Sequence, residues 1–287
     1  MLKANLHTHS TTSDGRFTPD EVIALYSAQK YDVMAFTDHR KTNLVSALDG
    51  KGMTLISGIE MHPQGAREIL WHLLALGVPE SFSDCSELAA QAVVDRVNRA
   101  GGLCFVAHPY WCGLRSQEVM TLNGIMGIEV YNTSTRYIGK EYNMVIWDEI
   151  LDSGCKCTAL AVDDIHHPCD LFKGWTMVAA SERTPDAVLA ALRTGRFYAT
   201  QGPKFHRLSF KDGIFEAEFT SCRSAVIVSN QCNGFCGAVP DPNGPNTTKK
   251  GITAIHFDVS TLPAGSYLRC QICDKNGKYA WSNPIII

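Results

Sequence analysis

The sequence has no long apolar run and no marked excess of charge of one sign. No stretch reaches the roughly 18 apolar residues that a membrane-spanning helix needs, and the first residues, MLKANLHTHS, lack the apolar segment of a signal peptide. The 26 basic and 29 acidic residues give a net charge of −3, which argues against a strongly basic surface for duplex DNA. We therefore expect neither a membrane nor duplex DNA as a partner.

The cysteine content indicates a reducing compartment. The 11 cysteines are scattered along the chain, and their odd number leaves at least one unpaired. With no export signal, we expect reduced thiols in a cytoplasmic protein. The pairs Cys232/Cys236 and Cys270/Cys273 have the spacing of a zinc site, but residues three apart in a strand face opposite sides, so we expect free thiols there.

The first two-thirds of the chain alternates short apolar runs with helical patterns, in a globular composition of 45% apolar and 19% charged residues. Helices are predicted to begin at Thr18-Pro19 and Thr184-Pro185 and to cover Ser86–Ala100 and Glu141–Asp152. This alternation predicts a parallel sheet, and seven such units suggest a barrel. The predicted strands are Leu2–His9, Asp32–Asp38, Thr54–Met61, Leu103–His108, Gly127–Tyr131, Cys157–Asp164 and Thr176–Ala180, with Ile69–Leu76 as an extra strand or hairpin arm.

The pattern changes after Gly195. Short apolar runs alternate with turns rich in glycine, proline and asparagine, no helix is predicted, and Pro240–Gly251 is a long polar loop. We therefore predict an α/β barrel over residues 1–196 and a small antiparallel β domain, of sandwich type, over residues 197–287.

Histidines concentrate where strands are predicted to end. Because the loops at the carboxyl ends of barrel strands meet at one mouth, these side chains are expected to converge. Imidazoles with carboxylates and no thiolate suit Zn²⁺, Mn²⁺ or Fe²⁺. The histidines are His7, His9, His39, His108 and His166, and the nearby acidic residues are Asp14, Asp38, Glu60 and Asp164.

An ordered set of motifs resembles the PHP (polymerase and histidinol phosphatase) family of metal-dependent phosphoesterases. A lone HxH would be weak evidence, but these motifs follow the family's order across residues 5–167. The resemblance implies a distorted (β/α)7 barrel of TIM-like form and hydrolysis at a cluster of two to three divalent ions. The matching stretches are LHTHS with a downstream SDG, FTDH, GIE, WHLLALG, VAHP, GIEVYN and DDIH.

The resemblance also implies the metal ligands. Asp163 stands where the family usually has a small residue, so either Asp163 or Asp164 is available to point inward, and the spacing to His166 favours Asp164. Glu60 is the bridging ligand of two sets. The first set is His7, His9, Glu60 and Asp164, the second is Glu60, His72 and His108, and the third is Asp14, His39 and His166.

A charge count indicates the substrate. Three divalent ions, balanced by three carboxylates and a hydroxide bridging the metals, leave about two positive charges, which a phosphate monoester dianion would neutralise. The candidate phosphate-binding residues are Arg40, Arg115 and Arg136. The candidate catalytic residues are Asp38, Glu60 and His166, with Asp38 expected to orient a ligand or to move a proton.

The leading hypothesis is a hydrolase of a small phosphate ester, such as a nucleotide or sugar phosphate. One alternative is a 5′→3′ exonuclease on short oligonucleotides, which needs an open mouth with cations and aromatics in line. Another is an ester, carbamate or amide hydrolase with an apolar mouth. A third is a metal-binding scaffold protein that recognises a partner through its β tail.

Overall fold

The computed structural model describes residues 1–238 and 251–287. The polar loop predicted over Pro240–Gly251 therefore lies, except for Gly251, outside the described residues. In the part of the chain that is described, no helix combines the length and the apolar content that crossing a membrane requires.

The chain forms seventeen strands and six α-helices in the described ranges. The helices are α1 (Pro19–Ala28), α2 (Ala90–Arg99), α3 (Pro109–Cys112), α4 (Ser116–Val119), α5 (Met144–Asp152) and α6 (Pro185–Arg193). The strands are β1 (Leu2–Asn5), β2 (Val33–Phe36), β3 (Thr54–Met61), β4 (Leu73–Leu76), β5 (Leu103–Val106), β6 (Gly127–Asn132), β7 (Thr158–Val162), β8 (Trp175–Val178), β9 (Phe197–Thr200), β10 (Phe205–Lys211), β11 (Ile214–Cys222), β12 (Ser224–Val228), β13 (Gly234–Ala238), β14 (Ile252–Asp258), β15 (Tyr267–Cys273), β16 (Tyr279–Ser282) and β17 (Ile285–Ile286).

Capping explains where the predicted helices begin. The Thr18 hydroxyl accepts a hydrogen bond from the backbone N–H of Glu21, and the Glu21 carboxylate accepts one from the N–H of Thr18. These two reciprocal bonds cap the first turn of α1. Thr184 caps α6 through a single hydrogen bond that its hydroxyl accepts from the N–H of Ala187, with Pro185 at the first helical position. The predicted starts of both helices are therefore confirmed.

The main sheet is mixed, which corrects the predicted parallel sheet. Its order is β13-β12-β15-β16-β9-β8-β1-β2-β3-β4-β5-β6-β7. The pairs β1–β2, β2–β3, β5–β6 and β6–β7 are parallel, whereas β4 runs antiparallel to both neighbours and β8 runs antiparallel to β1. No α-helix links β3 to β4, and a parallel pair would need a long crossover at that place.

The sheet curls so that its β7 end returns to β1. An isolated parallel bridge joins Thr8, just after β1, to Ile165, just after β7. Inside the curl, alternate residues of β1, β2, β5 and β7 form one buried cluster that includes Leu6, Phe105 and Leu160. These facts establish a mixed α/β fold of barrel-like form.

The residues after β8 continue the same sheet. β9 pairs with β8 on one side and with β16 on the other. A second sheet, β10-β11-β14, packs its phenylalanines against β12 and β15. Buried Arg269 of β15 forms a two-pronged ion pair with Asp148 of α5 at 2.6 Å. The division into domains at residues 196 and 197 stays a prediction.

Candidate metal centre

The nine predicted metal ligands lie at one edge of the curled sheet. His7 and His9 follow β1, His39 follows β2, and His108 follows β5. β4 is antiparallel, so its beginning, and not its end, lies at this edge, which explains why His72 precedes its strand. The predicted strand Leu2–His9 is shorter in the structure because its last residues leave the sheet to reach the cluster.

Glu60 occupies the centre of this cluster and is fully buried. Its Oε1 lies 2.8 Å from Nδ1 of His72 and 3.3 Å from Nε2 of His108. One carboxylate therefore faces imidazoles on two sides, as a bridging ligand must. The other oxygen, Oε2, faces Nδ1 of His39 at 2.8 Å, Nε2 of His9 at 3.3 Å and Nε2 of His7 at 3.4 Å.

Asp164, and not Asp163, points into the cluster. Its Oδ1 lies 3.0 Å from Nε2 of His9 and 3.3 Å from Nε2 of His7. Asp163 is directed away and accepts hydrogen bonds from the hydroxyl of Tyr26 and from the backbone N–H groups of residues 172–174. It anchors the connection between β7 and β8, and the two adjacent aspartates therefore have different roles.

The third predicted set lies at the mouth of the site. Oδ2 of Asp14 is 3.6 Å from Nε2 of His39, and Oδ1 is 3.5 Å from Nε2 of His166. Asp14 is the most exposed member, with its side chain 55% accessible. This set therefore borders solvent, whereas the sets around Glu60 lie deeper.

The donor atoms fit divalent metal ions. Oε2 of Glu60, Oδ1 of Asp164 and Nδ1 of His39 are buried and have no hydrogen-bond partner in the described part of the chain. Nδ1 of His39 and Oε2 of Glu60 are only 2.8 Å apart, yet their geometry is not that of a hydrogen bond. Such convergence is costly without an occupant, and imidazole nitrogens with carboxylate oxygens suit Zn²⁺, Mn²⁺ or Fe²⁺.

Charges within the cluster raise the pKa values of two buried histidines. Burial opposes a positive charge on His7, but Asp164, Glu129 and Glu60 raise its pKa well above the usual value. Burial likewise opposes a charge on His9, yet Asp164 and Glu60 raise the pKa of His9 to about 9. In the metal-free protein, protons on these rings therefore balance the carboxylates.

Metal binding is expected to release protons. Since the pKa of His9 is raised to about 9, its ring is protonated at pH 7 and must lose a proton from Nε2 to bind an ion. Although burial opposes a charge on His7 and His108, their neighbours raise both pKa values well above the usual value, so these rings are expected to release protons as well. The apparent metal affinity should therefore rise with pH from neutral pH to about 9. Calorimetric titration with Zn²⁺ in two buffers of different ionisation enthalpy measures the release, expected to be more than one proton at pH 7. Zero release would contradict the assignment.

Sequence reasoning missed Glu129, a fully buried carboxylate on β6. Its Oε1 is 2.6 Å from Nδ1 of His7, which donates to it and so aims Nε2 at the cluster. Its Oε2 accepts the backbone N–H of His108 at 2.9 Å and the amide of Asn132 at 2.8 Å. Asn132 also donates to Asp164 at 3.0 Å. The signal was present as a glutamate inside the apolar stretch GIEVYN, since a buried glutamate needs partners.

Asp38 is buried, and its carboxylate accepts no hydrogen bond from the predicted metal ligands in the described structure, whereas its backbone carbonyl accepts the N–H of Glu60 at 3.3 Å. Its two oxygens accept the N–H and hydroxyl groups of Ser10 and Ser13 and the amide of Asn43. These contacts fix the loop that leads to Asp14. Asp38 therefore positions a ligand-bearing loop, and its two oxygens are saturated by donors.

Replacing Asp38 with asparagine tests this role. The new amide N–H₂ would face donors, so we expect a loss of about 1–3 kcal/mol in the free energy of unfolding and weaker binding of the ion near Asp14. The pH profile of kcat should keep its shape. Loss of one limb of that profile at unchanged metal content would instead make Asp38 a proton carrier.

Two further residues border the cluster. His62, which lies in none of the motifs quoted above, is partly buried with Nε2 3.7 Å from Oε2 of Glu60. Cys112 places its thiol 3.5 Å from Nδ1 of His108. Neither residue lies in a motif of the resemblance, so no pattern in the sequence selects them.

A cavity of about 360 Å³ opens over the cluster. His39, His72, His108 and His166 line its floor, and Trp111 lines its wall with 42% of its surface exposed. Its other lining residues away from the cluster are Ser134, Thr135, Tyr137 and His167.

None of the three candidate phosphate-binding arginines lines this cavity in the described structure. Arg40 is half-exposed and has a distant ion pair with Asp84 at 4.0 Å. Arg115 borders a separate cavity of about 550 Å³. Arg136 is held by Asp170 at 2.7 Å and by the carbonyl of Cys169. Their role in binding phosphate stays a prediction.

Part of the chain is similar in sequence to a phosphatase of known activity. The chain is 34% identical over 82 residues to a 3′,5′-nucleoside bisphosphate phosphatase from Chromobacterium violaceum, a match that covers 27% of this chain and 28% of that protein. The chain thus matches just over a quarter of the length of this curated relative. No family model matches the chain.

A solved structure shares the fold. A two-domain protein from Bacteroides vulgatus, described as containing a predicted PHP-like metal-dependent phosphoesterase, aligns with a TM-score of 0.51 at 17% identity over 100% of this chain and 94% of that one. An amidohydrolase from Chromobacterium violaceum aligns with a TM-score of 0.46 at 19% identity over 57% and 88% of the two chains. In its motifs and its fold, the chain resembles the PHP-like metal-dependent phosphoesterases, as the sequence predicted.

Proposed function

We propose that the chain is a metal-dependent phosphoesterase that hydrolyses a small phosphate monoester, with nucleotide-type compounds as the first class to test. The observation that carries this proposal is the buried Glu60 carboxylate, which faces five predicted histidine ligands beneath an open cavity. The named activities of the relatives support the same chemistry. Two to three ions of Mn, Zn or Fe, and a cytoplasmic location, complete the proposal.

The cluster residues can hold the ions in fixed positions. Divalent ions bound here would polarise a phosphoryl oxygen and supply a hydroxide near neutral pH. Glu60 and Asp164 provide the negative charge that retains the ions, and Glu129 fixes the ring of His7. Rigid placement of this kind removes the need for reorganisation during the reaction.

His166 faces the substrate from the mouth of the site. Its Nδ1 lies 3.0 Å from the carbonyl of Asp164, to which it donates, so Nε2 presents its lone pair toward Asp14 and the cavity. Burial lowers the pKa of His166 from its usual value. The ring is therefore neutral near pH 7, and its Nε2 can bind an ion or accept a proton.

The cavity walls favour a compact substrate with a ring. Trp111 offers an exposed aromatic face, and Ser134 offers a hydroxyl group near the cluster. A volume of about 360 Å³ suits one nucleotide or sugar phosphate better than an extended strand. The described lining also lacks the row of cations that a 5′→3′ exonuclease on oligonucleotides would need.

Phosphate release measured across nucleoside monophosphates, 3′,5′-bisphosphates, sugar phosphates and short RNA tests the proposal. We expect kcat/KM for a phosphate monoester to exceed that for a matched carboxyl ester or carbamate. Arg40→Ala should raise KM for the phosphate about tenfold if this side chain holds a non-reacting oxygen, whereas Arg207→Ala, an exposed arginine of β10 that contacts Glu216 and Glu218, serves as the matched control.

Three outcomes would redirect the assignment. Faster turnover of the neutral ester, with no effect of any arginine, would favour a carbonyl hydrolase at the same metal cluster. Preference for RNA oligomers would favour the exonuclease. Protein that retains no metal and hydrolyses none of these substrates would favour a scaffold.

A further inference from the structure

His62 lies next to the metal cluster without a role in any of the three expected ligand sets. It follows β3 two residues after Glu60, so both side chains lie on the same side of the strand, while Met61 points into the apolar core. Its ring centre is 4.6 Å from that of His39 and 4.1 Å from that of His72. The sequence and the fold thus bring a sixth imidazole to the Glu60 carboxylate.

Three buried polar atoms meet at this place without hydrogen bonds. They are Nε2 of His62, Nδ1 of His39 and Oε2 of Glu60, and each lacks a partner within the described ranges. One ligand atom from each of these residues lies within 4.8 Å of the other two. A buried polar group left unpaired is destabilising, so an occupant that contacts all three would stabilise the arrangement.

The donor set specifies the kind of occupant. Two imidazole nitrogens and one carboxylate oxygen are ligands of Zn²⁺, Co²⁺, Mn²⁺ and Fe²⁺. The position differs from that of the Asp14 set because His39 faces Asp14 through its other nitrogen, Nε2, at 3.6 Å. The two nitrogens of one ring point away from each other and cannot bind the same ion.

We propose that His62 is an additional metal ligand, which together with Glu60 and His39 holds a divalent ion at a position of its own. A neutral imidazole has one lone pair, so His39 serves either this position or the Asp14 position at a given time. An ion can therefore exchange between the mouth of the site and the His62 side. The inference rests on the metal cluster of the proposed function, but not on phosphate hydrolysis.

Metal retention in an Asp14→Asn background isolates the new position. The protein is loaded with Zn²⁺ or Co²⁺, desalted, and analysed for metal per chain by mass spectrometry. Asp14→Asn combined with His62→Ala should retain about one ion fewer than Asp14→Asn alone. Asp14→Asn combined with His206→Ala, which removes an exposed histidine of β10, should retain as much as Asp14→Asn.

The visible spectrum of the Co²⁺-loaded protein gives a second readout, since it reports the ligands directly. We expect the spectrum of Asp14→Asn to change when His62 is replaced by alanine. If the alanine variant does not fold, as judged by circular dichroism, His62→Asn keeps the polarity and takes its place.

Equal metal content and equal spectra with and without His62 would overturn the inference while leaving the proposed function intact. Wild-type protein that retains no metal would overturn both. Wild-type metal binding without phosphate release would count against the proposed reaction alone, because the comparison of the Asp14→Asn variants needs no substrate.

Discussion

Replacing Glu60 with glutamine is expected to lower kcat by about 100-fold or more in saturating metal. Both oxygens of this buried carboxylate face imidazoles, Oε1 toward His72 and Oε2 toward His39 at 2.8 Å each. Glutamine removes the negative charge and turns one ligand oxygen into an N–H₂ group. The change should therefore weaken two ion positions at once.

The measurement compares catalysis with stability. A 100-fold loss corresponds to about 2.7 kcal/mol of transition-state stabilisation, and we expect a smaller change in the free energy of unfolding measured in chelator. Glu216→Gln is the matched control, since Glu216 contacts His256 at 3.1 Å on the β tail, away from the cluster. Equal kcat for Glu60→Gln and wild type would refute the bridging role.

Glu129→Gln is expected to weaken metal binding by about 10- to 100-fold. The amide oxygen can still accept Nδ1–H of His7, but its N–H₂ group then faces the backbone N–H of His108 and the amide of Asn132. The rings would lose their fixed orientation although no metal ligand is removed. Competition with a chromophoric chelator measures the change in dissociation constant for Zn²⁺.

Asp163→Asn provides the control for this variant. Asp163 is as deeply buried as Glu129 and accepts several hydrogen bonds, yet its donors are Tyr26 and the backbone of residues 172–174. We expect this variant to lose stability but to keep its metal affinity. If Glu129→Gln bound Zn²⁺ as tightly as wild type, the role of Glu129 would be limited to packing.

Elements with local signals were predictable from the sequence, whereas strand direction was not. The caps at Thr18 and Thr184 fix two helix starts through hydrogen bonds between residues three apart. The direction of β4 depends on pairing with β3 and β5, which the apolar run at residues 69–76 does not encode. The continuation of the sheet through β9 into β16 likewise arises from contacts between residues about 80 apart.

The residues of the candidate site likewise divide into those that the sequence predicts and those that only the fold brings together. Ligands at strand ends, such as His7 and His108, could be predicted from the sequence because the loops at one edge of a sheet converge. Glu129 lies within a strand, and His62 lacks a motif, so only the folded geometry brings them to the cluster. A position after a strand end does not by itself place a side chain in the site. Arg136 follows a strand end as expected but is held by Asp170 outside the cavity.

One continuous sheet contains both the strands that carry the metal ligands and the strands of the tail, and this affects how the chain unfolds. β9 is hydrogen-bonded to β8 and to β16, and Trp281 of β16 lies in the same buried cluster as Trp147 of α5. Melting of the tail strands alone would expose the edge of β9 and leave Asp148 without Arg269. Heat denaturation of the whole chain should therefore be a single cooperative transition, in which the tail and the metal-binding half lose their structure together.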